Sequence, residues 1–350
     1  MAITLDGTLG ITTPSYGGVD ASEYLVPVTA FKNRIINGAM VIDQRNAGAS
    51  VTPSVSTYTL DRWFCSFSQA SKLTIQQNYG TVAPPAGFTN YLGIKVAATA
   101  TVGSTDYFEV YQRIEGFNAA DLGWGTANAK TVTLSAWVYS NTTGTFGGAL
   151  RNSADNRSYP FTYSIPVANT WTQISVTIAG DTSGTWLTNN GTGVLITFSV
   201  GTGSTYLGTA GSWAATVYGG ATGQNSLMGS TSNYLYFTGV QLEKGTTATS
   251  FDYRPYGTEL ALAQRYCQAI SGMSIGRVVT NATAGASFMS PVLFRTAPTA
   301  SNITYTLSTG AAGTPATFGA SINGLEFYNS ASNWTTTALL QVSAILSAEL

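Results

Sequence analysis

The sequence predicts an all-β protein: a jelly-roll β-sandwich with an N-terminal arm, followed by a short helix and a smaller C-terminal β domain. Three observations lead there. Between Lys32 and Tyr256, apolar and polar residues alternate in run after run, the period of half-buried strands. Clusters of Gly, Asn, Asp and Pro, such as "VAPPAGFTN", "SNTTGTFGG" and "TNNGTG", interrupt these runs at the spacing of sandwich turns. Charged residues are only 9% of the chain and aromatics 12%, so solvent-facing strand positions fall to Thr and Ser rather than Lys and Glu.

The elements follow in order. Residues 1–30 read as an arm: "ITLDGTLGITTP" is short, apolar-alternating and broken by Gly, and it cannot bury its own face. Residues 31–256 form the jelly roll. "YLGIKV" (91–96), "YFEVYQRIEG" (107–116), "TQISVTI" (172–178) and "VLITFSV" (194–200) each turn alternate residues inward, and "TVTLSAWVY" (131–139) points Val132, Leu134, Ala136 and Val138 to the core. "NAADLGWG" is at most one helical turn. In "YLYFTGVQLEKG" the inward parity passes from Leu235 and Phe237 to Val240 and Leu242, which calls for a β-bulge at Gly239. Glu243 and Lys244 then end that strand at the surface, and Pro255 keeps Arg254 extended.

Residues 257–270 read as a helical connector, with Thr258 as cap and Glu259 in the first turn. Leu260, Ala263, Cys267 and Ile270 are spaced as a heptad seam, which suits either a helix lying on one domain or a short trimeric neck. Residues 271–350 form a distal β domain with "ITYTL" and "LLQVSAIL" as strands. Its four formal charges, Arg277, Arg295, Glu326 and Glu349, leave much apolar surface for symmetric association to cover.

Composition removes several classes of function. A length of 350 residues suggests two or three domains, and 44% apolar residues with a net charge of -1 exclude a disordered chain. Lys and Arg number 15 against 16 Asp and Glu, so no basic surplus points to nucleic acid. No run of 18 apolar residues points to membrane insertion, and "MAITLDGTLG" has neither the basic start nor the apolar core of a signal peptide, so folding is expected in the cytoplasm where the chain is made. Cys65 and Cys267, far apart, read as buried thiols. The absence of His removes Ser-His-Asp and Cys-His catalysis.

A carboxylate pair needs no His, but Glu109 and Glu115 sit ~20 Å apart along one strand. A partner would have to come from elsewhere, such as Asp121 or Asp155, and the chain is read as a non-enzyme. Asp61 in "TLDRW" and Glu243 in "QLEKG" are candidate ligands for calcium, the one cofactor considered; the alternative is pairing with Arg62, Lys244 or Arg254. The positive feature is aromatic residues on polar strand faces. Tyr107, Glu109, Tyr111 and Arg113 share the outward face of one strand, and Trp137 and Tyr139 that of another. Sugar C–H faces stack on aromatic rings while charged side chains bond the hydroxyls, so these six are candidate glycan contacts. The alternative for Trp137 is packing under a loop, helix or neighbouring subunit. Trp124, Trp186 and Trp213 read as residues that pin Gly-rich loops.

"FKNRIINGAMVIDQRNAG", "YTLDRW", "ANTWTQISVTIAGDTSGTW" and "TGVQLEKGTTATSFDYRPYGTELALAQRYCQ" resemble a widespread group of phage and prophage tail-fibre or minor structural proteins, over about residues 32–270. The resemblance implies a virion (tail) component with a carbohydrate-binding-like jelly roll, commonly a homotrimer, and brings no catalytic residues with it. The expected partners are copies of the chain, other phage tail and virion proteins, and host surface polysaccharide. The expected function is receptor binding by non-covalent adhesion to host glycan. A purely structural virion component (decoration, neck or baseplate protein) and a polysaccharide depolymerase are the alternatives.

Overall fold

Alternating side chains become strands when two sheets can share one apolar core, and the fold of this chain follows from that pairing. The structure is a computed structural model; it describes residues 4–6, 10–12, 32–278, 284–307, 317–329 and 338–350. The chain divides into two units, Met1–Lys32 and Asn33–Leu350. In the first, β1 (Thr4–Asp6) and β2 (Gly10–Thr12) pair antiparallel with Leu5 opposite Ile11. The rest of the expected arm lies outside the described residues.

The second unit begins with the sandwich. Its strands are β3 (Thr57–Leu60), β4 (Trp63–Phe67), β5 (Leu73–Gln77), β6 (Leu92–Val96), β7 (Tyr107–Glu115), β8 (Val132–Ser140), β9 (Gly144–Arg151), β10 (Ser158–Ile165), β11 (Thr172–Ile178), β12 (Thr192–Thr202), the two-residue β13 (Leu207–Gly208) and β14 (Gly220–Ala221), and β15 (Tyr234–Lys244). Six form one antiparallel sheet in the order β10-β9-β12-β7-β4-β3, and five form the other as β11-β8-β15-β6-β5. This is a jelly-roll sandwich. Val132, Leu134, Ala136 and Val138 from one sheet, and Val194, Ile196, Phe198 and Val200 from the other, are buried in a single core. At its centre the Phe237 ring lies 5.2 Å from Trp63 and 4.8 Å from Phe198. Each such aromatic contributes about 1.5–3 kcal/mol by leaving water. One polar residue breaks the inward row of β7: Gln112 is satisfied by donating to the Ile36 carbonyl and accepting from the Ile36 N–H.

The bulge expected at Gly239 is present. Thr238 pairs with Trp137 and Gln241 with Ser135, so β15 carries one extra residue there, and Gly239 has φ +62°. Leu235, Phe237, Val240 and Leu242 are all buried as a result. The segment after Lys32 lies along the bulged half of β15: Arg34 N–H donates to the Leu242 carbonyl, Leu242 N–H to Asn33 Oδ1, and Val240 N–H to the Gly38 carbonyl. Asn37 bonds Ile42 at both ends, donates to the Asp61 carbonyl, and accepts from Trp63 Nε1 at its own carbonyl. The distinctive words "NRIINGAMVI", "YTLDRW" and "TGVQLEKG" are therefore parts of one joint. Phe251 and Tyr253 are pinned by Phe88, with ring centres 5.1 and 5.3 Å away.

The connector departs from expectation. The helix, α1 (Tyr256–Gln264), begins at Tyr256, with Pro255 at its N-cap position and no side-chain cap, so Thr258 does not cap it. It ends before Cys267, which opens a strand, and Cys267 and Ile270 continue no heptad seam. Alternation resumes at Cys267, and a long alternating strand stands ready to pair with it, which ends the helix. Ala263 and Leu260 pack instead on Ile36, Ile42 and Tyr266.

The remaining strands are β16 (Cys267–Val278), β17 (Ala284–Met289), β18 (Thr299–Leu307), β19 (Thr317–Ser321), β20 (Gly324–Asn329) and β21 (Ala338–Ser347). They form two three-stranded antiparallel sheets, β16-β21-β18 and β17-β20-β19. Two of the four charges in this region reach the sandwich: Glu349 pairs with Arg45 and Arg62, and Arg295 donates to the Asn190 carbonyl. Arg265 in turn grips Glu115 at 2.7 and 3.0 Å, and the Tyr266 hydroxyl donates to the same carboxylate. Burial works against ionisation of Glu115, yet these bonds hold it below the usual carboxylate range.

Candidate functional site

Strand β7 has one face in the core, so its alternate residues must face outward. Phe108, Val110 and Ile114 are in the core, and Tyr107, Glu109, Tyr111 and Arg113 line a cavity of about 300 Å³ on the outer face of the six-stranded sheet. Cross-strand register completes it. Leu195 of β12 pairs with both Arg113 of β7 and Arg151 of β9, which sets those three in a row across the sheet. The loop after β12 supplies Tyr206, Val217 and Gly219 as a wall. Gly219 leaves room for the Glu109 carboxylate, since a Cβ there would lie 2.7 Å from Oε2 and push it aside.

Charge in the groove is organised around Arg151. Its Nη2 donates to Glu109 Oε1 at 3.0 Å and to Thr197 Oγ1 at 3.2 Å, while Nη1 lies 3.6 Å from Asp155 Oδ1. Glu109 and Arg151 are buried, whereas the Asp155 side chain is 55% exposed at the rim. Burial pushes the Glu109 carboxyl above its usual range, and Arg151 opposes that. Arg113 is held by its terminal nitrogens. It donates to the Leu350 carbonyl at 2.7 Å, to the Tyr58 hydroxyl at 3.4 Å and to the Tyr111 hydroxyl at 2.9 Å. Its guanidinium also lies over the Phe64 and Tyr111 rings. Tyr107 meets Tyr206 edge-on at 5.9 Å. Tyr111 is itself 6% exposed and stacked on Phe64 at 5.0 Å, so the open aromatic surface of the groove is that of Tyr107 and Tyr206, beside its hydrogen-bonding groups.

The other two aromatic candidates are on the opposite outer face. Tyr139 is 9% exposed and stacks with Tyr236 at 5.7 Å beneath Trp171, Tyr79 and Val82. Trp171 is fastened there by its Nε1 donating to the Ala83 carbonyl. Tyr139 therefore packs under a loop. Trp137 is half-buried beside the bulge, with Cδ1 3.2 Å from where a Cβ of Gly239 would stand.

The two calcium candidates are engaged separately. Asp61 is fully buried and accepts from Gln44 N–H at 2.6 Å and Gln44 Nε2 at 2.9 Å. Glu243 is buried rather than at the surface; it accepts from the Thr249 N–H and hydroxyl and from Gln241 Nε2, holding down the loop that follows β15. The two share no hydrogen-bond partner, and among the described residues no group of three His, Cys, Asp or Glu is placed to hold a metal ion. Cys65 and Cys267 are free and buried. Trp124, Trp186 and Trp213 meet edge-on at 4.7–5.4 Å, each donating to a loop carbonyl.

Sequence reasoning did not place Arg151, Tyr206 or Gly219 in the site. Arg151 closes the run "GTFGGALR", and only the register of β9 against β12 brings it beside Glu109. Tyr206 and Gly219 lie in a Gly-rich stretch with no periodicity to read.

No family model matches the chain, and no curated protein matches it. Among solved structures it is similar to the enzymatically active domain of tailspike protein 4 of bacteriophage CBA120, at 13% identity and TM-score 0.33, over 61% of this chain and 21% of that one. It is similar to a sugar-binding protein from Bacteroides thetaiotaomicron, at 14% identity and TM-score 0.34, over 61% of this chain and all of that one (100%). It is also similar to a family 61 carbohydrate-binding module in complex with β-1,4-galactotriose, at 10% identity and TM-score 0.30, over 61% and 99% of the two chains. The chain spans about a fifth of the tailspike structure. Function is argued from the groove and the sequence, not from these likenesses.

Proposed function

We propose that the protein is a bacteriophage tail-fibre or receptor-binding component of the virion, and that it holds a host surface glycan non-covalently in the groove on the six-stranded sheet. One observation carries the binding claim: Tyr107, Glu109, Tyr111 and Arg113 alternate along β7 and open into one cavity. Steps of two residues along a strand are ~6.6 Å, so the two tyrosines stand ~13 Å apart, a reach suited to a short oligosaccharide. The assignment to a phage tail rests on the sequence motifs over residues 32–270. Assembly into a homotrimer would repeat the groove three times on one body, and weak sites so linked bind far more tightly than one. The test is binding of the purified protein to host cells and to extracted envelope glycans, with molar mass by light scattering. A trimer that captures glycan is expected; a monomer that captures none overturns the reading.

A specific observation also favours hydrolysis of the same glycan. Glu109 and Asp155 contact one guanidinium, so the oxygens that touch it are at most ~9 Å apart, a bound that admits the separations of glycosidase carboxylate pairs. Arg151 lies between them and ties up Glu109, which is why binding is the preferred reading. Release of reducing sugar from host polysaccharide, abolished by Glu109→Gln, would replace adhesion by depolymerisation.

A further inference from the structure

We infer that the groove selects electrically neutral, hydroxyl-rich glycans and excludes uronic or other acidic polymers. This rests on the glycan-binding reading above and adds the chemical class of the ligand.

The evidence is where the donors and acceptors go. Two guanidiniums line the groove, and each makes several bonds within the protein. Arg151 divides its terminal nitrogens between Glu109, Thr197 and Asp155, and its Nε is closed off from solvent. Arg113 gives its terminal nitrogens to three oxygens of the protein, and the Phe64 and Tyr111 rings lie against its flat faces. Recognition of a carboxylate is strongest at a guanidinium fork left open; Arg151 is already engaged by Glu109, Thr197 and Asp155, and Arg113 has both Nη1 bonds and one Nη2 bond committed within the protein.

The open groups are of the other kind. Glu109 Oε2, Asp155 Oδ2 and the hydroxyls of Tyr107 and Tyr206 take no side-chain hydrogen bond among the described residues. Carboxylate oxygens only accept, and phenol hydroxyls both accept and donate. Sugar hydroxyls can satisfy such a set. A ligand carboxylate at the Arg151 end of the groove would face Glu109 and Asp155 at close range, losing its water beside a guanidinium those two already engage.

The experiment measures affinity of the intact protein for neutral polysaccharides (dextran, galactan, xylan, mannan) and acidic ones (polygalacturonate, alginate, hyaluronate, polysialic acid), at low salt and at about 0.5 M salt. The expected result is capture of at least one neutral polymer, more than about tenfold tighter than any acidic one and changed less than about twofold by salt. Equal or tighter binding of an acidic polymer, weakened by salt, overturns the inference while leaving glycan binding intact. Capture of neither kind overturns the glycan-binding reading itself.

Discussion

Asp61 permits a quantitative expectation. Its carboxyl is fully buried between Gln44 and the opening of β16, and burial pushes its pKa from the usual carboxylate value up to about 6, against the pull of Arg45. A raised carboxyl pKa means that the folded state holds the proton more tightly than the unfolded chain does. The stability this confers is fully present below about pH 4 and is lost as pH rises through about 6. A shift of about two units corresponds to about 3 kcal/mol between those limits. Asp61→Asn cannot ionise, so its stability should lack this fall. The constant cost of placing an amide against Gln44 is the same at every pH and cancels in the comparison. Urea unfolding followed by tryptophan fluorescence, at pH 4, 5, 6 and 7 for both proteins, gives the difference curve. The variant should gain about 3 kcal/mol on the wild type between pH 4 and pH 7. Parallel curves would show that Asp61 titrates as an ordinary carboxyl and would refute the argument.

Gly239→Ala puts a Cβ 2.6 Å from the Phe88 ring on backbone of positive φ, and should cost about 2–4 kcal/mol by urea unfolding. Tyr107→Ala, at a half-buried residue of the groove, should weaken glycan capture about tenfold with little change in Tm, whereas Tyr139→Ala should lower Tm and leave the affinity of the folded protein unchanged; the reverse pattern would move the site to the other face. Glu115→Gln removes the charge that Arg265 and Tyr266 share, and should cost about 2–3 kcal/mol, read as faster hydrogen exchange in the first residues of β16.

The strands and their inward residues were legible because period-two alternation records which face meets the core; the inward residues of β8 and β12 are all in it, although most of their outward residues are buried as well. The bulge was legible for the same reason: parity cannot change between Phe237 and Val240 without an extra residue, and only Gly239 accepts the required φ. The end of α1 was not. Leu260 and Ala263 carry helical spacing, but what stops the helix is a strand that offers Cys267 a ladder partner in Ser347, far along the chain, and local spacing holds no trace of it. Glu243 misled for a related reason. A carboxylate at a strand end reads as solvent-facing until Thr249 is known to fold back over it. In the groove, the β7 residues could be read from alternation alone, whereas Arg151 depended on register and Tyr206 on a loop path. Outward alternation could not separate Tyr111, in the cavity, from Tyr139, under a loop.

The hold of Leu350 on Arg113 has a kinetic side. That hydrogen bond joins residues 237 apart in sequence, Asn33 meets Leu242 across 209, and Arg62 meets Glu349 across 287. Loops of that length close late, after local hairpins such as β9–β10 have formed. The binding face is therefore expected to be among the last parts of the molecule to take shape. In a refolding experiment, glycan capture should lag behind recovery of core tryptophan fluorescence, and simultaneous recovery would show that the groove forms without its distant clasp.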